Sequence, residues 1–368
     1  MANLFANYAF NQDNLDLSRF YYNSSAFQLY DNWNISYNGV QYSDVYGIEW
    51  SLNGGQYTSA FAGYDLTANS NEVITGGVAQ AYVELGWTGS SWVEMYGVQG
   101  LSVEAMSIYY GATTRLTNDD YLLFQQWLSG DDTFNLSSSI DVAYGYGGND
   151  TMTGNGSDDT LYGGNGNDSL DGGSGNDSLD GGSGIDTAHY NGQPSNFTLG
   201  KGGNSYTLAD TLGNEGEDTL VNIERLHFSN GADIAIDTGV GEIGGSCYRI
   251  YKAAFNRTPD KGGLGYWIGQ MDLGKTLVEV SAGFINSDEF RASYGTNPTN
   301  GEFLTKVYNN VLGRDPDSGG YDWWVDQLTN NPEKTWDKVM ADFSEGTENV
   351  ENTDSLINNG ISYDLWIA

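Results

Sequence analysis

Five aspartates recur at a constant interval of nine: Asp150, Asp159, Asp168, Asp177 and Asp186. Written in that period, residues 145–189 read GYGGNDTMT, GNGSDDTLY, GGNGNDSLD, GGSGNDSLD and GGSGIDTAH. Glycines precede each carboxylate, and two positions after it comes Met152, Leu161, Leu170, Leu179 or Ala188. A hard divalent cation needs this mixture: Ca²⁺ takes about six to eight oxygens at roughly 2.3–2.6 Å, from carboxylates and backbone carbonyls together. Glycine permits the positive φ that turns carbonyls toward a common point, and the aspartate brings charge to the same place. The last three residues of each nine suit a short strand with its apolar residue inward. One turn offers too few ligands, so an ion has to bridge neighbouring turns while stacking buries the apolar ladder. Metal capture and folding are then one event.

The period extends backwards. Asp132 with Phe134 and Asp141 with Ala143 fall on the same register, although their glycines are mostly gone, and read as degenerate lead-in turns. Residues 127–190 hold 11 Asp and no Lys, Arg or Glu, so without metal the segment repels itself and has a large entropy to lose on folding. It is expected to stay unfolded at cytoplasmic calcium and to fold at extracellular concentrations, where such sites work at a Kd of about 10⁻⁴ to 10⁻³ M.

The segment resembles the RTX (repeat-in-toxin) family, whose motif is G-G-x-G-x-D-x-U-x. The resemblance implies a parallel β-roll in which each ion lies between a turn and the next but one on the same side. Asp150, Asp168 and Asp186 would line one side, Asp159 and Asp177 the other. Carbonyls at motif positions one and three would add Gly145, Gly147, Gly154, Gly156, Gly163, Asn165, Gly172, Ser174, Gly181 and Ser183. In turn 154–162, Asn155 and Ser157 replace glycines, which predicts weaker sites there. Residues 186–233 are similar to the segment that follows such rolls. The last residues, Asp364-Leu365-Trp366-Ile367-Ala368, are similar to uncleaved C-terminal type I secretion signals, which would make the type I secretion machinery a partner.

Other elements must hold this segment. Over residues 1–116, alternating stretches such as VAQAYVELGW (78–87) and EAMSIYY (104–110) predict antiparallel strands, and NDDYLLFQQWL (118–128) predicts a capped helix. Strand-like pieces FTLG, YTLAD and DTLVNIERLHF follow the roll and are expected to cover its open end. Beyond the Gly-rich 239–246 the pattern turns helical. RTPDKGGLGYW (257–267) and RDPDSGGYDWW (314–324) align at an offset of 57, matching Arg257 to Arg314, Asp260 to Asp317 and Trp267 to Trp324. Residues 248–349 are similar in these units to the bacterial helical family known as domain of unknown function 4214. The expected architecture is therefore multidomain: a β-rich N-terminal domain (1–126), the roll (127–190), a β cap (191–240), an α-helical repeat domain (247–353) and a secretion signal (354–368).

Composition bounds the function. With 49 acidic and 14 basic residues the formal net charge is −35, which argues against nucleic acid and anionic membrane as partners. No stretch reaches the roughly 18 apolar residues of a membrane span, and the start lacks a basic region followed by an apolar one, so export would use no cleaved N-terminal signal. Fourteen per cent aromatics give enough apolar surface for packed cores, so the acidity is not that of a disordered chain. The lone Cys247 has no internal disulfide partner.

Catalytic signatures are missing. Neither H-E-x-x-H nor G-x-S-x-G occurs, and the two histidines, His189 and His227, read as structural. Pairs such as Asp119-Asp120 and Asp131-Asp132 arise by chance in so acidic a chain. The aromatic set Tyr21, Tyr22, Trp33, Tyr37, Tyr46, Trp50, Trp87 and Trp92 reads first as sheet core and cross-strand pairs, with sugar stacking or a subunit interface as alternatives. Trp267, Trp323 and Trp324 are expected to fill a helical core. The expected function is a non-enzymatic, extracellular calcium-binding structural protein that self-associates into a surface layer, matrix fibre or adhesive coat. A carbohydrate-binding module that takes cell-surface polysaccharide, and a hydrolase within residues 1–126, are the alternatives.

Overall fold

The computed structural model describes residues 2–12, 17–30, 35–70, 73–113 and 117–366. Trp33, Ile367, Ala368 and the Asp119 side chain lie outside the described residues. The chain divides into two compact units, residues 1–223 and 224–368.

The first unit begins with long antiparallel strands. Asp44–Leu52, Gly55–Ala68, Ile74–Trp87 and Trp92–Glu104 pair in sequence order, with Ser24–Tyr30 on the outer edge. Their alternating burial puts Ile48, Phe61 and Tyr82 inside. Residues 78–87 are strand, as their alternation predicts. EAMSIYY is not: Ala105–Thr113 is a helix. Ala105, Ile108 and Ala112 are the buried positions, spaced three and four apart, so helical periodicity wins over the apparent alternation of a short stretch. The helix predicted at 118–128 runs Thr117–Trp127 and buries Leu123, Phe124 and Trp127.

The nonapeptides form two facing parallel sheets with strands taken alternately. Thr133–Asn135, Thr151–Thr153, Ser169–Asp171 and Thr187–Tyr190 build one; Val142–Tyr144, Thr160–Asn165 and Ser178–Ser183 build the other. Each full coil is thus 18 residues, and the apolar residues stack inward without exposure: Met152, Leu170 and Ala188 on one side, Ala143, Leu161 and Leu179 on the other. This is the expected parallel β-roll. Strands Phe197–Gly202 and Ser205–Asp210 form a hairpin, and Glu217–Val221 joins it to the second sheet by pairing antiparallel to the hairpin and parallel to Ser178–Ser183.

At the other end of the roll lies the start of the chain. Strand Asn3–Ala6 pairs antiparallel with Trp92–Glu104 and parallel with Thr133–Asn135, so one sheet runs from the N-terminal strands into the roll. Leu4 sits opposite Phe134 and is equally buried.

The second unit is α-helical over 243–357. Its two copies have the same order of four helices: Ile243–Phe255, Lys261–Asp272, Leu277–Ile285 and Asp288–Tyr294, then Asn300–Leu312, Ser318–Asn330, Trp336–Ser344 and Thr347–Ile357. The shared Pro-Asp turn has a mechanical role. Asp260 caps the second helix of its copy by accepting from Gly263 N (2.7 Å), and Asp317 does the same from Gly320 N (2.8 Å). Trp267 and Trp324 pack against one shared core with Phe284, Phe303 and Val307, whereas Trp323 is half exposed, against expectation, because it lies on the outer face of its helix. Strands Arg225–Phe228, Asp233–Ala235 and Ile361–Tyr363 complete the unit, and Trp366 packs edge-on against Tyr266.

Candidate metal centre

The roll aspartates are held by the coil repeat itself. In each, Oδ1 accepts the backbone amide of the aspartate one coil earlier: Asp132 N to Asp150, Asp141 N to Asp159, Asp150 N to Asp168, Asp159 N to Asp177 and Asp168 N to Asp186, all at 2.7–2.8 Å. One carboxylate oxygen is therefore fixed by the backbone. The other is buried in every one of them, and in Asp150, Asp159, Asp168 and Asp177 that Oδ2 has no hydrogen-bond partner. Four buried anionic oxygens without a donor cost too much to leave in place unless a cation or a proton meets them.

The glycines show where that oxygen lies. A Cβ on Gly145 would fall within 3.0 Å of both Asp150 Oδ2 and the Gly163 carbonyl oxygen. Gly154 stands in the same relation to Asp159 Oδ2 and the Gly172 carbonyl, while Gly163 and Gly172 back onto Asp168 Oδ2 and Asp177 Oδ2. A carboxylate oxygen and a carbonyl oxygen from the next coil on that side thus share a small space that only glycine leaves open. Among the described residues no three His, Cys, Asp or Glu side chains cluster as a cage. The donor set is one carboxylate per coil plus carbonyls, which suits a hard cation and fits Ca²⁺.

The remaining predicted ligands fall into the same turns. Gly147 bridges to Asn165 and Gly156 to Ser174, while the Asn165 and Ser183 carbonyls already accept amides from Gly148 (2.9 Å) and Gly166 (2.8 Å). Gly181 lies against Asp186 and the Asn222 carbonyl. In the glycine-poor turn, Asn155 and Ser157 adopt φ of 78° and 74°. Their side chains reach the preceding coil, Asn155 Nδ2 donating to Leu136 O at 2.8 Å and Ser157 Oγ to Ser138 O at 3.1 Å.

Burial dominates the electrostatics. It pushes Asp150 up to about 8, Asp159 to about 7 and Asp177 to about 6, with neighbouring carboxylates adding to the rise in each, and it raises Asp168 as well. His189 Nε2 lies 2.8 Å from Ser169 Oγ and His227 Nδ1 lies 2.7 Å from Asp233 Oδ1. The Cys247 thiol is buried and raised by that burial.

One member of the ladder escapes the nine-residue count. Asp177 N donates to Asp218 Oδ1 at 2.9 Å, across 41 residues rather than 18. Residues 213–221, GNEGEDTLV, are a further nonapeptide with Asp218 and Leu220 in phase, displaced by residues 190–212. Leu220 stacks beyond Leu179 and is fully buried, and Gly216 (φ 87°) crowds the Gly175 carbonyl as Gly184 crowds that of Gly166. The signal was present in the residues, but the inserted hairpin breaks the period. At the opposite end Ala2 N and Phe10 N donate to Asp132 and Asp141, so residues 2–12 form a coil without carboxylates, one residue short of the roll's nine.

Residues 128–161 and 153–188 match the model of the RTX calcium-binding nonapeptide repeat (4 copies). These coils are RTX nonapeptides. RTX nonapeptide repeats bind calcium ions. Residues 247–292 and 281–353 match the domain of unknown function DUF4214. No curated protein matches the chain. Among solved structures it is similar to the extracellular lipase LipA from Serratia marcescens at 22% identity, over 29% of this chain and 17% of that one, with a TM-score of 0.16. No helix is long and apolar enough to cross a membrane, among the described residues.

The aromatic set divides. Tyr46 and Trp50 are core; Trp87 and Trp92 form an exposed cross-strand pair with ring centroids 5.4 Å apart, and Tyr22 is exposed.

Proposed function

We propose that this is an extracellular structural protein whose RTX roll is disordered until it captures Ca²⁺ and then serves as a calcium-stiffened spacer. The observation that carries the reading is the ladder of aspartates with one oxygen bonded by the backbone and the other buried without a donor. The residues that hold the ions on this reading are Asp150, Asp159, Asp168, Asp177 and Asp186, with carbonyls of Gly145, Gly147, Gly154, Gly156, Gly163, Asn165, Gly172, Ser174, Gly181 and Ser183, and Asp218 as an added carboxylate. Bound calcium supplies the positive charge that the segment itself lacks. The chain's own residues do the rest: glycines keep the space open, backbone amides fix each Oδ1, and the Leu ladder closes behind them.

The repeats support secretion through a type I system. Self-assembly into a surface layer, matrix fibre or adhesive coat accounts for calcium machinery beside domains without a catalytic motif. Electron microscopy of purified protein with and without millimolar Ca²⁺ tests it: ordered assemblies are expected in calcium only, and lasting monodispersity there rejects the assembly role. Circular dichroism tests the folding step, since equal β content in EGTA and in Ca²⁺ would reject coupled folding.

A further inference from the structure

The N-terminal strands hold a cleft of about 290 Å³, bordered by Tyr8, Arg19, Trp50, Tyr57, Glu84 and Tyr96. That is near the lower end of the range for small-molecule sites. Glu84 is at its floor and is 5% exposed. Its Oε2 is crowded with donors: Tyr82 Oη at 3.1 Å, Tyr96 Oη at 3.0 Å and Arg19 at 3.7 Å. Among the described residues its Oε1 has no hydrogen-bond partner. That oxygen is not among the buried atoms left without a partner, so it opens to solvent, where a ligand hydroxyl can reach it.

The walls are aromatic. Trp50 stacks on Tyr57 with centroids 4.4 Å apart, Arg19 lies 5.7 Å over Trp50, and Tyr8 stands half exposed at the rim. The lining holds one basic and one acidic side chain, Arg19 and Glu84, so the cleft offers donors and an acceptor with neither sign in excess. A ligand that suits it is neutral, carries hydroxyl groups on one edge and presents C–H faces to the rings. We propose that this cleft is a binding site for a neutral saccharide unit, with Glu84 Oε1 accepting from a sugar hydroxyl and Tyr8 and Tyr57 packing against the ring.

The site is also tied to the roll. The wall at Tyr8–Asn11 is part of the carboxylate-free coil: Phe10 N donates to Asp141, and Phe10 O accepts Val142 N at 2.7 Å. Saccharide binding is therefore calcium-dependent. This dependence rests on the coupled-folding reading; the site itself does not.

Saturation-transfer NMR on the full chain in millimolar Ca²⁺ tests the proposal with glucose, galactose, mannose, N-acetylglucosamine, cellobiose, glucuronate and glucosamine as probes. At least one neutral sugar is expected to bind, with Glu84→Gln weakening it at least about tenfold and Tyr8→Ala, at an exposed rim position, about threefold or more. Trp92→Ala, at the exposed hairpin tip, is expected to leave binding unchanged. Absence of binding by every neutral sugar, preference for glucuronate or glucosamine, or loss only in Trp92→Ala would overturn it. If Glu84→Gln fails to fold, Tyr8→Ala against Trp92→Ala decides. In EGTA, binding is expected to vanish with the roll's β content. Binding retained after that content is lost would overturn the assignment of the Tyr8–Asn11 wall. Unchanged β content in EGTA would reject coupled folding and leave the variants to judge the site.

Discussion

The roll and the helical unit both bury charge, and they balance it in opposite ways. In the second unit the cations are built in. Arg249, 1% exposed, grips Glu345 through Nε and an Nη at 2.8 Å each and donates to the Thr238 and Gly239 carbonyls; Arg225 meets Asp237 at 2.6 Å and Asp272 at 2.7 Å. In the roll, residues 127–190 contain no Lys or Arg at all. A buried ion pair that is complete within the chain makes a unit whose fold is constant, whereas buried carboxylates alone make one whose fold depends on the solution outside.

The widest separation between the two is expected on chelation. EGTA should abolish the roll's β signal while the helical signal of residues 243–357 persists; joint loss of both would show that the helical unit is not independent. Next comes Arg249→Ala, which strands Glu345 and should destabilise the helical unit by about 2–4 kcal/mol, at the lower side because Glu345 is partly exposed. Denaturation followed by helical ellipticity reads this, and the calcium midpoint should not move. Asp168→Ala removes the carboxylate of the central coil and should raise that midpoint roughly tenfold. Asp218→Ala, at the end of the stack, should raise it roughly threefold, and no change would remove Asp218 from the ladder.

The smallest effect is that of pH. Asp150, Asp159 and Asp177 are raised to about 8, 7 and 6 in the folded roll, against roughly 3.9 in an unfolded chain. Between those values the folded form binds more protons, so metal-free stability falls as pH rises from about 4 to 8 and is greatest in acid. In EGTA, acidification from pH 8 to 4.5 should recover part of the β signal. With calcium present the sign reverses, because protons compete for the same oxygens, and the midpoint should rise as pH falls. A flat profile in EGTA would mean that these carboxylates are not buried when metal-free.

What the residues disclosed follows the same line. The roll was legible because each coil repeats one chemistry at one interval, and the helical copies because Asp260 and Asp317 cap helices at a fixed offset. Asp218 was obscured by an inserted hairpin that breaks the period without breaking the stack. The coil at residues 2–12 keeps only Leu4 of the repeat's side-chain pattern, since Ala2 and Phe10 contribute backbone amides to Asp132 and Asp141 where the repeats carry aspartate. EAMSIYY misled because a short apolar stretch satisfies both periods. The Glu84 cleft is assembled from strands distant in sequence, and composition alone does not distinguish its rings from the core.

That first coil also sets an order of events. Aspartates one coil apart are joined across 18 residues, but Ala2 reaches Asp132 across 130. Closing the longer loop costs more entropy and lies later on the folding path. The coils can zip together soon after calcium arrives, while the edge at Thr133–Asn135 waits for the N-terminal strands to assemble and deliver Asn3–Ala6. During that interval the growing sheet presents an open edge, and a second chain's strand would fit there as well as its own. On the self-assembly reading, linked copies are therefore expected to grow with protein concentration at the moment of calcium addition.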